Sequence, residues 1–176
     1  VVHLEAIPQS GYLFDRWSDG IKAPTRDYSV VNKDTTFTAY FKKDSYTITT
    51  SVNSAEMGSL LPITSKHEYG EVMQLTATPE WGYKFKCWSD GDPSLEKRTY
   101  IVLAKDTAFQ AIFEKKTFTI YAESSEPAEG RATPGTQTAL YLSSVTISAT
   151  PEPGYIFDHW NDRNRENPRV ISVERD

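Results

Sequence analysis

Aromatic side chains are the residues of this chain best suited to chemistry, because their rings can stack on the faces of sugars. Nine of them recur in three copies of the pattern Gly-Tyr-x-Phe-x-x-Trp: Tyr12, Phe14, Trp17, Tyr83, Phe85, Trp88, Tyr155, Phe157 and Trp160. The other use of a large ring is to fill a hydrophobic core, which a module of about 70 residues needs. Because the nine positions recur together with the strand pattern around them, we predict that they are structural core residues.

Trp81 differs from these rings because it has no aromatic counterpart. Ser10 and Pro153 occupy the same place in the other two copies, in turn sequences that begin with proline and end with glycine. We expect a turn residue of this kind to be exposed, although isolated exposed apolar residues are common on proteins. Trp81 is therefore a weak candidate for a ligand-binding residue, and Tyr121 is a second unrepeated aromatic.

Acidic residues follow the tryptophans in short turn sequences: Asp19, Asp90, Asp92 and Asp162. Calcium takes about six to eight oxygen ligands, and the acidic spacing of an EF-hand loop does not occur here. In turns, aspartate side chains accept hydrogen bonds from nearby backbone amides. We predict turn capping for these carboxylates and no metal site.

The remaining reactive side chains are three histidines and one cysteine. His3, His67 and His159 fall in different copies, and none has a second His or Cys at the spacing of a zinc site. A single cysteine, Cys87, excludes an intrachain disulfide. Since no histidine accompanies it, we expect Cys87 to fill space beside the core. The sequence also contains no nucleophile elbow, phosphate loop or zinc-protease motif, so we predict neither an enzyme nor a cofactor.

The spacing of the aromatic stretches, 71 and 72 residues, shows that the chain is built from tandem repeats. A Leu-x-Ala-x-Pro type of string precedes each stretch, and Phe-x-Ala-x-Phe or its near equivalent follows the first two. The division is a partial repeat over residues 1–44, a complete repeat over 45–116 and a partial repeat over 117–176. The third copy reaches Asp176 before a counterpart of the last pattern appears. We expect residues near 169–176 to be mobile or to pair with another chain.

Apolar residues alternate with polar ones within each copy. Met73, Leu75 and Ala77 show this period of two, as do Phe109 and Phe113. Alternation of this kind predicts strands with one face on a core and one in water. We expect strand content above about 40% and helix content below about 15%.

The charge of the chain excludes some partners. Its 24 acidic and 19 basic residues give a net charge of −5 and a pI near 5.3, which argues against nucleic acid as a partner. No stretch approaches the roughly 20 apolar residues of a membrane helix, so we expect no direct membrane insertion of this segment.

The combined pattern Leu-x-Ala-x-Pro, Gly-Tyr-x-Phe-x-x-Trp-x-Asp-Gly, Lys-Asp-Thr and Phe-x-Ala-x-Phe resembles the divergent internalin B-type B-repeat, a relative of the Listeria–Bacteroides surface repeat. The resemblance covers essentially the whole chain, although Asn161-Asp162-Arg163 lacks the turn glycine. It implies a mainly β protein of tandem modules, each a small β-grasp-like sheet with little helix. An immunoglobulin-like β-sandwich is the alternative.

The same resemblance implies an extracellular, non-enzymatic spacer or stalk in a bacterial surface or secreted protein, with an association to adhesion. Its partners would then be other domains of the same protein. The alternative function is a module that binds a glycan or a host protein through exposed aromatics such as Trp81 and Tyr121. One concave surface shared by these rings would favour binding, whereas scattered rings would favour a spacer.

Overall fold

The computed structural model describes residues 1–31, 33–92 and 95–174, and about half of them lie in sixteen β-strands. These described ranges contain no helix, and hence none that could cross a membrane. The prediction of a mainly β repeat protein is therefore confirmed.

The strands follow the alternating apolar pattern of the sequence. Their bounds are β1 (Val2–Glu5), β2 (Tyr12–Trp17), β3 (Thr25–Tyr28), β4 (Ala39–Lys43), β5 (Ser45–Val52), β6 (Gly58–Leu61), β7 (Ser65–Glu68), β8 (Val72–Pro79), β9 (Tyr83–Trp88), β10 (Lys97–Ile101), β11 (Thr107–Lys115), β12 (Thr117–Tyr121), β13 (Gly130–Thr133), β14 (Thr136–Leu140), β15 (Ser144–Pro151) and β16 (Arg169–Ser172).

The complete repeat arranges β5 to β11 in two sheets. A four-stranded sheet has the order β7-β5-β11-β9, and a three-stranded sheet has the order β10-β8-β6. The first and last strands of the repeat, β5 and β11, are parallel neighbours, with Ile48 opposite Thr107 and Val52 opposite Ala111. This parallel pair is central in its sheet, with β7 beyond β5 and β9 beyond β11.

The core of this repeat comes from the buried side of each strand. Leu75, Ala111 and Ile48 are fully inaccessible to solvent, and Trp88 is 1% exposed. Burying a side chain of this size contributes roughly 1.5–3 kcal/mol, so a few such positions account for much of the stability of a small module.

In its described residues, the first copy has four strands, β1 to β4, which are the counterparts of β8 to β11. β1 pairs with β3 in one antiparallel sheet, and β2 pairs with β4 in another, with a register shift between Phe14 and Arg16. The edge of β4 that faces away from β2 has no strand beside it in the described residues.

The third copy has counterparts of β5 to β8 and of β10. β12 pairs with β14, and β15 lies between β13 and β16. Residues 155–160, which correspond to β9, belong to no strand, and no counterpart of β11 occurs in the described part of the chain. A core of Ala122, Val145, Ile147, Trp160 and Val173 nevertheless forms.

The expectation that residues 169–176 would be mobile or would pair with another chain is wrong for the described part of that segment. β16 pairs with β15 of the same chain, with Ser172 opposite Ser144 and Arg169 opposite Ile147. The reason is that 169–172 correspond to β10, whose partner is present, whereas the strand without a counterpart is the next one. Residues 175 and 176 lie outside the described residues.

The chain divides into two compact units. One contains residues 1–55, 59–78 and 86–112, and the other contains 56–58, 79–85 and the chain from Phe113 onwards. The second unit therefore holds the third copy together with the turn that carries Trp81.

Candidate functional site

Each repeated tryptophan closes the turn that follows it. The indole Nε1 atoms of Trp17, Trp88 and Trp160 donate hydrogen bonds of 2.9, 3.2 and 2.9 Å to the backbone oxygens of Ala23, Leu95 and Glu166. All three rings are buried. A buried ring with its N–H satisfied stabilises the module and is not presented to a ligand.

The turn carboxylates are held by arginines that the sequence reasoning missed. Three ion pairs of 2.5–2.6 Å recur, between Arg26 and Asp19, Arg98 and Asp90, and Arg169 and Asp162. A signal for them existed, because each arginine follows its tryptophan by nine or ten residues.

The same carboxylates accept backbone hydrogen bonds within their turns, at 3.3 Å from Ile21, 3.2 Å from Asp92 and 3.1 Å from Asn164. The guanidinium of Arg26 lowers the pKa of Asp19, and the Asn164 amide followed by Arg169 lowers the pKa of Asp162. These carboxylate oxygens therefore accept hydrogen bonds from turn amides and form ion pairs with the arginines. Among the described residues, no three His, Cys, Asp or Glu side chains are placed to hold a metal ion.

The repeated arginines also lie over aromatic rings. The guanidinium of Arg26 is 4.9 Å from the centre of the Phe37 ring, and that of Arg98 is 5.0 Å from the Phe109 ring. Cation–π contacts of this type contribute about 0.5–2 kcal/mol each. Arg169 has the same ion pair, but the third copy has no described counterpart of the phenylalanine.

The glycine and tyrosine of the repeated pattern form a joint to the next copy. In the joint between the first and second copies, the ring of Tyr69 lies against Gly11, where a Cβ would come within 2.4 Å of it. The Tyr12 ring meets Tyr69 edge to face, with centroids 5.6 Å apart. Gly11 has a φ of 85°, so both its conformation and its contact with Tyr69 require glycine.

The joint between the second and third copies repeats this geometry. A Cβ on Gly82 would lie 2.4 Å from the ring of Tyr141, and Tyr83 meets Tyr141 edge to face at 5.3 Å. Tyr69 and Tyr141 are 72 residues apart, so the contact follows the period of the repeat. We name the Gly82–Tyr141 contact and its Gly11–Tyr69 counterpart the glycine–tyrosine joints.

Two of the nine predicted core residues are exposed. Tyr12 is 40% exposed and Tyr155 is 50% exposed, whereas Tyr83 is 6% exposed. The tyrosine of the pattern contacts the next copy in both joints but is buried only in the second. Tyr155 has no described counterpart of Tyr141 against it, and Tyr12 lies beside Ser10 where Tyr83 lies beside Trp81.

The three phenylalanines of the pattern are half-buried at the edge of each core. Phe14 meets Phe41 edge to face at 6.0 Å, and Phe85 meets Phe113 in the same way at 6.1 Å. Phe157 contacts Trp160 at 5.2 Å in the third copy. Their second rings come from β4 and β11, so this contact has no described equivalent beside Phe157.

Trp81, the weak candidate for ligand binding, lies in the second joint. Its ring is stacked on Phe118 at 5.7 Å and 18°, and meets Tyr141 edge to face at 5.1 Å. It remains 41% exposed. The stacked face is already occupied, and the ring strengthens the joint in which it lies.

An open cleft of about 870 Å³ lies in the third copy. Its lining includes Tyr121, Tyr155, Phe157 and Trp160 together with the apolar side chains of Ile147 and Ile171. Tyr121 is 67% exposed, and Trp81 does not line the cleft. The two unrepeated aromatics therefore do not both line this cleft.

The histidines and the cysteine have ordinary surroundings. His3 and His159 contact Asp27 and Asp158 at 2.8 Å, and His67 contacts Glu71 at 2.9 Å. The His67 contact lowers the pKa of Glu71. Cys87 is half-buried in β9.

Comparison with known proteins places the repeat in a family. The family model described as the divergent InlB B-repeat domain matches residues 1–45, 48–117 and 121–172. No curated protein and no solved structure gives a match.

Proposed function

The chain belongs to the divergent InlB B-repeat domain family, and on that premise we propose that it is a non-enzymatic spacer in a bacterial cell-surface or secreted protein. The family is associated with bacterial surface proteins. The spacer connects other domains of the same protein and supports adhesion by holding them apart.

The glycine–tyrosine joints carry this proposal. A spacer must resist bending between its modules, and a joint resists bending when it is packed without gaps. Gly11 and Gly82 each have a tyrosine ring in van der Waals contact from the following copy. Two joints with the same contacts indicate that the connection between copies is part of the repeat, as in other tandem arrays.

The linkers are also held by their backbone. A single residue, Asp44, separates β4 from β5, and its amide donates to Gly11 at 2.9 Å while its carbonyl accepts from Tyr69 at 2.9 Å. Lys116 does the same between Gly82 and Tyr141, at 2.8 and 2.9 Å. A one-residue linker with both backbone groups bonded leaves little freedom between copies.

The side chains that could bind a ligand or take part in a reaction make structural contacts within the chain instead. The tryptophans close turns, the aspartates cap turns and pair with arginines, and Trp81 packs in a joint. This use of the repeated side chains supports a structural role over catalysis.

The test is the stiffness of the second joint. Spin labels on Thr76 and Thr138, one in β8 and one in β14, give a distance distribution whose width reports bending. We expect Tyr141→Ala and Gly82→Ala to broaden it clearly. Gly154→Ala is the matched control, since Gly154 has a similar φ of 92° and nothing within 4 Å of an added Cβ. Equal widths for all the variants and the unmodified chain would exclude a stiff joint.

A second candidate function is the binding of a glycan or a host protein. The observation that favours it is the exposed ring of Tyr121 on the cleft of the third copy. Aromatic rings on clefts of this size stack on sugars. Binding to a glycan array that is lost in Tyr121→Ala and kept in Trp81→Ala would support this function and place the ligand in the cleft.

A further inference from the structure

We propose that the two Asp-Gly bonds of the repeated turns are sites of backbone isomerisation, and that the arginine of each turn holds the bond unreacted. The bonds are Asp19-Gly20, paired with Arg26, and Asp90-Gly91, paired with Arg98. This role of the arginines lies outside the spacer role, because it concerns how long the chain keeps its covalent structure and not what the chain connects.

The reaction joins the aspartate side chain to the main chain. The amide nitrogen of the glycine attacks the side-chain carbonyl carbon of the protonated aspartic acid, and a C–N bond forms while the acid hydroxyl leaves with the amide proton as water. The product is a succinimide ring. Water then adds to either ring carbonyl and breaks one C–N bond, which gives aspartate again or isoaspartate. Glycine favours the attack because no side chain shields its nitrogen.

Both oxygens of each carboxylate are held in a form that does not react. The Oδ1 atom of Asp90 accepts a hydrogen bond of 3.2 Å from the Asp92 amide, and its Oδ2 atom accepts one of 2.6 Å from Arg98. Asp19 is held in the same way, and the guanidinium of Arg26 lowers its pKa. Charge-assisted hydrogen bonds of this kind favour the ionised carboxylate, which has no hydroxyl to lose.

The nitrogen that attacks in this reaction is also engaged. The amide of Gly91 donates to the backbone oxygen of Trp88 at 3.0 Å, and the amide of Gly20 donates to that of Trp17 at 2.9 Å. A nitrogen fixed in this hydrogen bond reaches the side-chain carbon only when the turn rearranges. Releasing the carboxylate from its arginine is therefore the first step towards reaction.

Burial does not protect these aspartates. Asp19 and Asp90 are both exposed, so the water that opens the ring has access to them. Their protection therefore rests on hydrogen bonds, of which the arginine supplies the one that carries a full charge. Isoaspartate would add the Cβ atom to the main chain of the turn that the Trp88 indole closes on Leu95.

The turn of the third copy provides an internal control. Asp162 pairs with Arg169 at 2.6 Å and accepts from the Asn164 amide at 3.1 Å, as in the other two turns. The residue after it is Arg163, with a φ of 67°, and not glycine. A side chain on this residue shields the nitrogen, so the third turn has the ion pair without the reactive bond.

The experiment incubates the whole folded chain in mildly acidic buffer and measures isoaspartate at each aspartate by peptide mapping with electron-transfer fragmentation. We expect slow formation at Asp90 in the unmodified chain. In Arg98→Gln it should be about tenfold faster, since one charge-assisted hydrogen bond no longer stabilises the unreacted carboxylate. Ile48→Val removes a buried methyl group from the same repeat and should leave the rate at Asp90 unchanged.

The third turn allows the reaction to be introduced. Arg169→Gln alone should give no isoaspartate at Asp162, because Arg163 shields its own nitrogen. Arg163→Gly alone should also leave Asp162 unreacted, because the arginine pair remains. Arg163→Gly combined with Arg169→Gln should bring isoaspartate formation at Asp162 to the rate seen at Asp90 in Arg98→Gln.

Equal rates at Asp90 in the unmodified chain and in Arg98→Gln would overturn the proposal. An increase in Ile48→Val as large as that in Arg98→Gln would also overturn it, because the overall fold and not the arginine would then protect the bond. The same holds if Arg163→Gly reacts at Asp162 as fast with Arg169 present as without it.

Discussion

The complete repeat and the third copy carry the same aromatic pattern but do not fold it in the same way. Residues 83–88 form β9 in the complete repeat, whereas residues 155–160 form no strand. The two segments share their tyrosine, phenylalanine and tryptophan and differ at the other three positions, and Trp88 and Trp160 are both buried. The difference lies in β11, which is beside β9 and has no described counterpart beside 155–160. Strand formation here therefore depends on a distant partner and not on local propensity.

The comparison also separates the two tasks of the pattern. Its tryptophan belongs to the module that contains it, and is buried in all three copies. Its glycine and tyrosine belong to the joint with the next copy: Gly11 and Gly82 are buried and Gly154 is exposed, and Tyr12 and Tyr83 each meet a tyrosine ring of the following copy. A single ten-residue motif thus combines a core anchor with a connector.

The largest expected effect is the loss of a core tryptophan. Trp88→Ala should lower the free energy of unfolding of the complete repeat by about 3–5 kcal/mol, because a large cavity forms. Trp160→Ala should cost the third copy less, since Trp160 is 9% exposed and lies beside the open cleft. The denaturant dependence of hydrogen exchange at Leu75 and at Ile147, which are counterparts, measures the two losses. Equal losses would show that the third core is as tightly packed as that of the complete repeat, although no counterpart of β11 lies beside it in the described residues.

The next largest effect is the difference in stability between an alanine at a glycine in a joint and an alanine at a glycine in a turn without a joint. Gly154→Ala should cost about 1–2 kcal/mol, from the positive φ alone. Gly82→Ala should cost about 1–3 kcal/mol more, because its Cβ meets the ring of Tyr141. Thermal unfolding of the two variants measures this difference. Adding Tyr141→Ala to Gly82→Ala removes the ring that the new Cβ meets, so the double variant should regain the stability lost to that steric clash. Identical melting of the two glycine variants would contradict the joint.

A smaller effect is expected from the arginines. Arg98→Gln removes an ion pair with Asp90 and the contacts over Phe109 and Trp88, whereas Arg169→Gln removes an ion pair with Asp162. We expect the first variant to be more destabilising by about 1 kcal/mol. Hydrogen exchange at the amides of Leu75 and Ile147 measures the difference in stability between the two variants. A larger loss for Arg169→Gln would mean that the ring contacts contribute nothing.

The smallest expected effect is on the pH dependence of the stability of the third copy. The pKa of Asp162 lies below its ordinary value of 3.8 in the folded state, so this carboxylate stabilises the third copy above that pH. The contribution is lost as the pH falls through the folded pKa. Asp162→Asn should therefore weaken the fall in stability of the third copy between pH 5 and pH 3, measured at Ile147. An unchanged acid profile would show that the turn does not depend on the charge.

Much of the fold follows from the sequence because the repeat displays it three times. The period of the aromatic pattern defined the copies, and the alternation of Met73, Leu75 and Ala77 indicated their strands. The exposure of Tyr12 and Tyr155 did not follow, because the pattern does not show which side chains are covered by the same copy and which by the next. The arginines of the turns were missed since arginine on a strand is usually a surface residue.

The candidate sites were less predictable. Trp81 was identified as an unrepeated ring, but its stacking on Phe118 depends on a contact between copies that sequence spacing does not display. The cleft lies in the copy that has no counterpart of β11 among the described residues, and sequence spacing does not show which side chains line it.

Amide hydrogen exchange of residues 84–87 and of residues 156–159 in the isolated chain tests whether the aromatic pattern needs a partner strand to become a strand. The two segments correspond residue by residue, so each amide has its own control. We expect slow exchange at the amides of 84–87 that face β11, and exchange at 156–159 close to that of an unstructured peptide. Equal protection of the two segments would show that the pattern forms a strand without a partner, and that strand formation does not depend on β11.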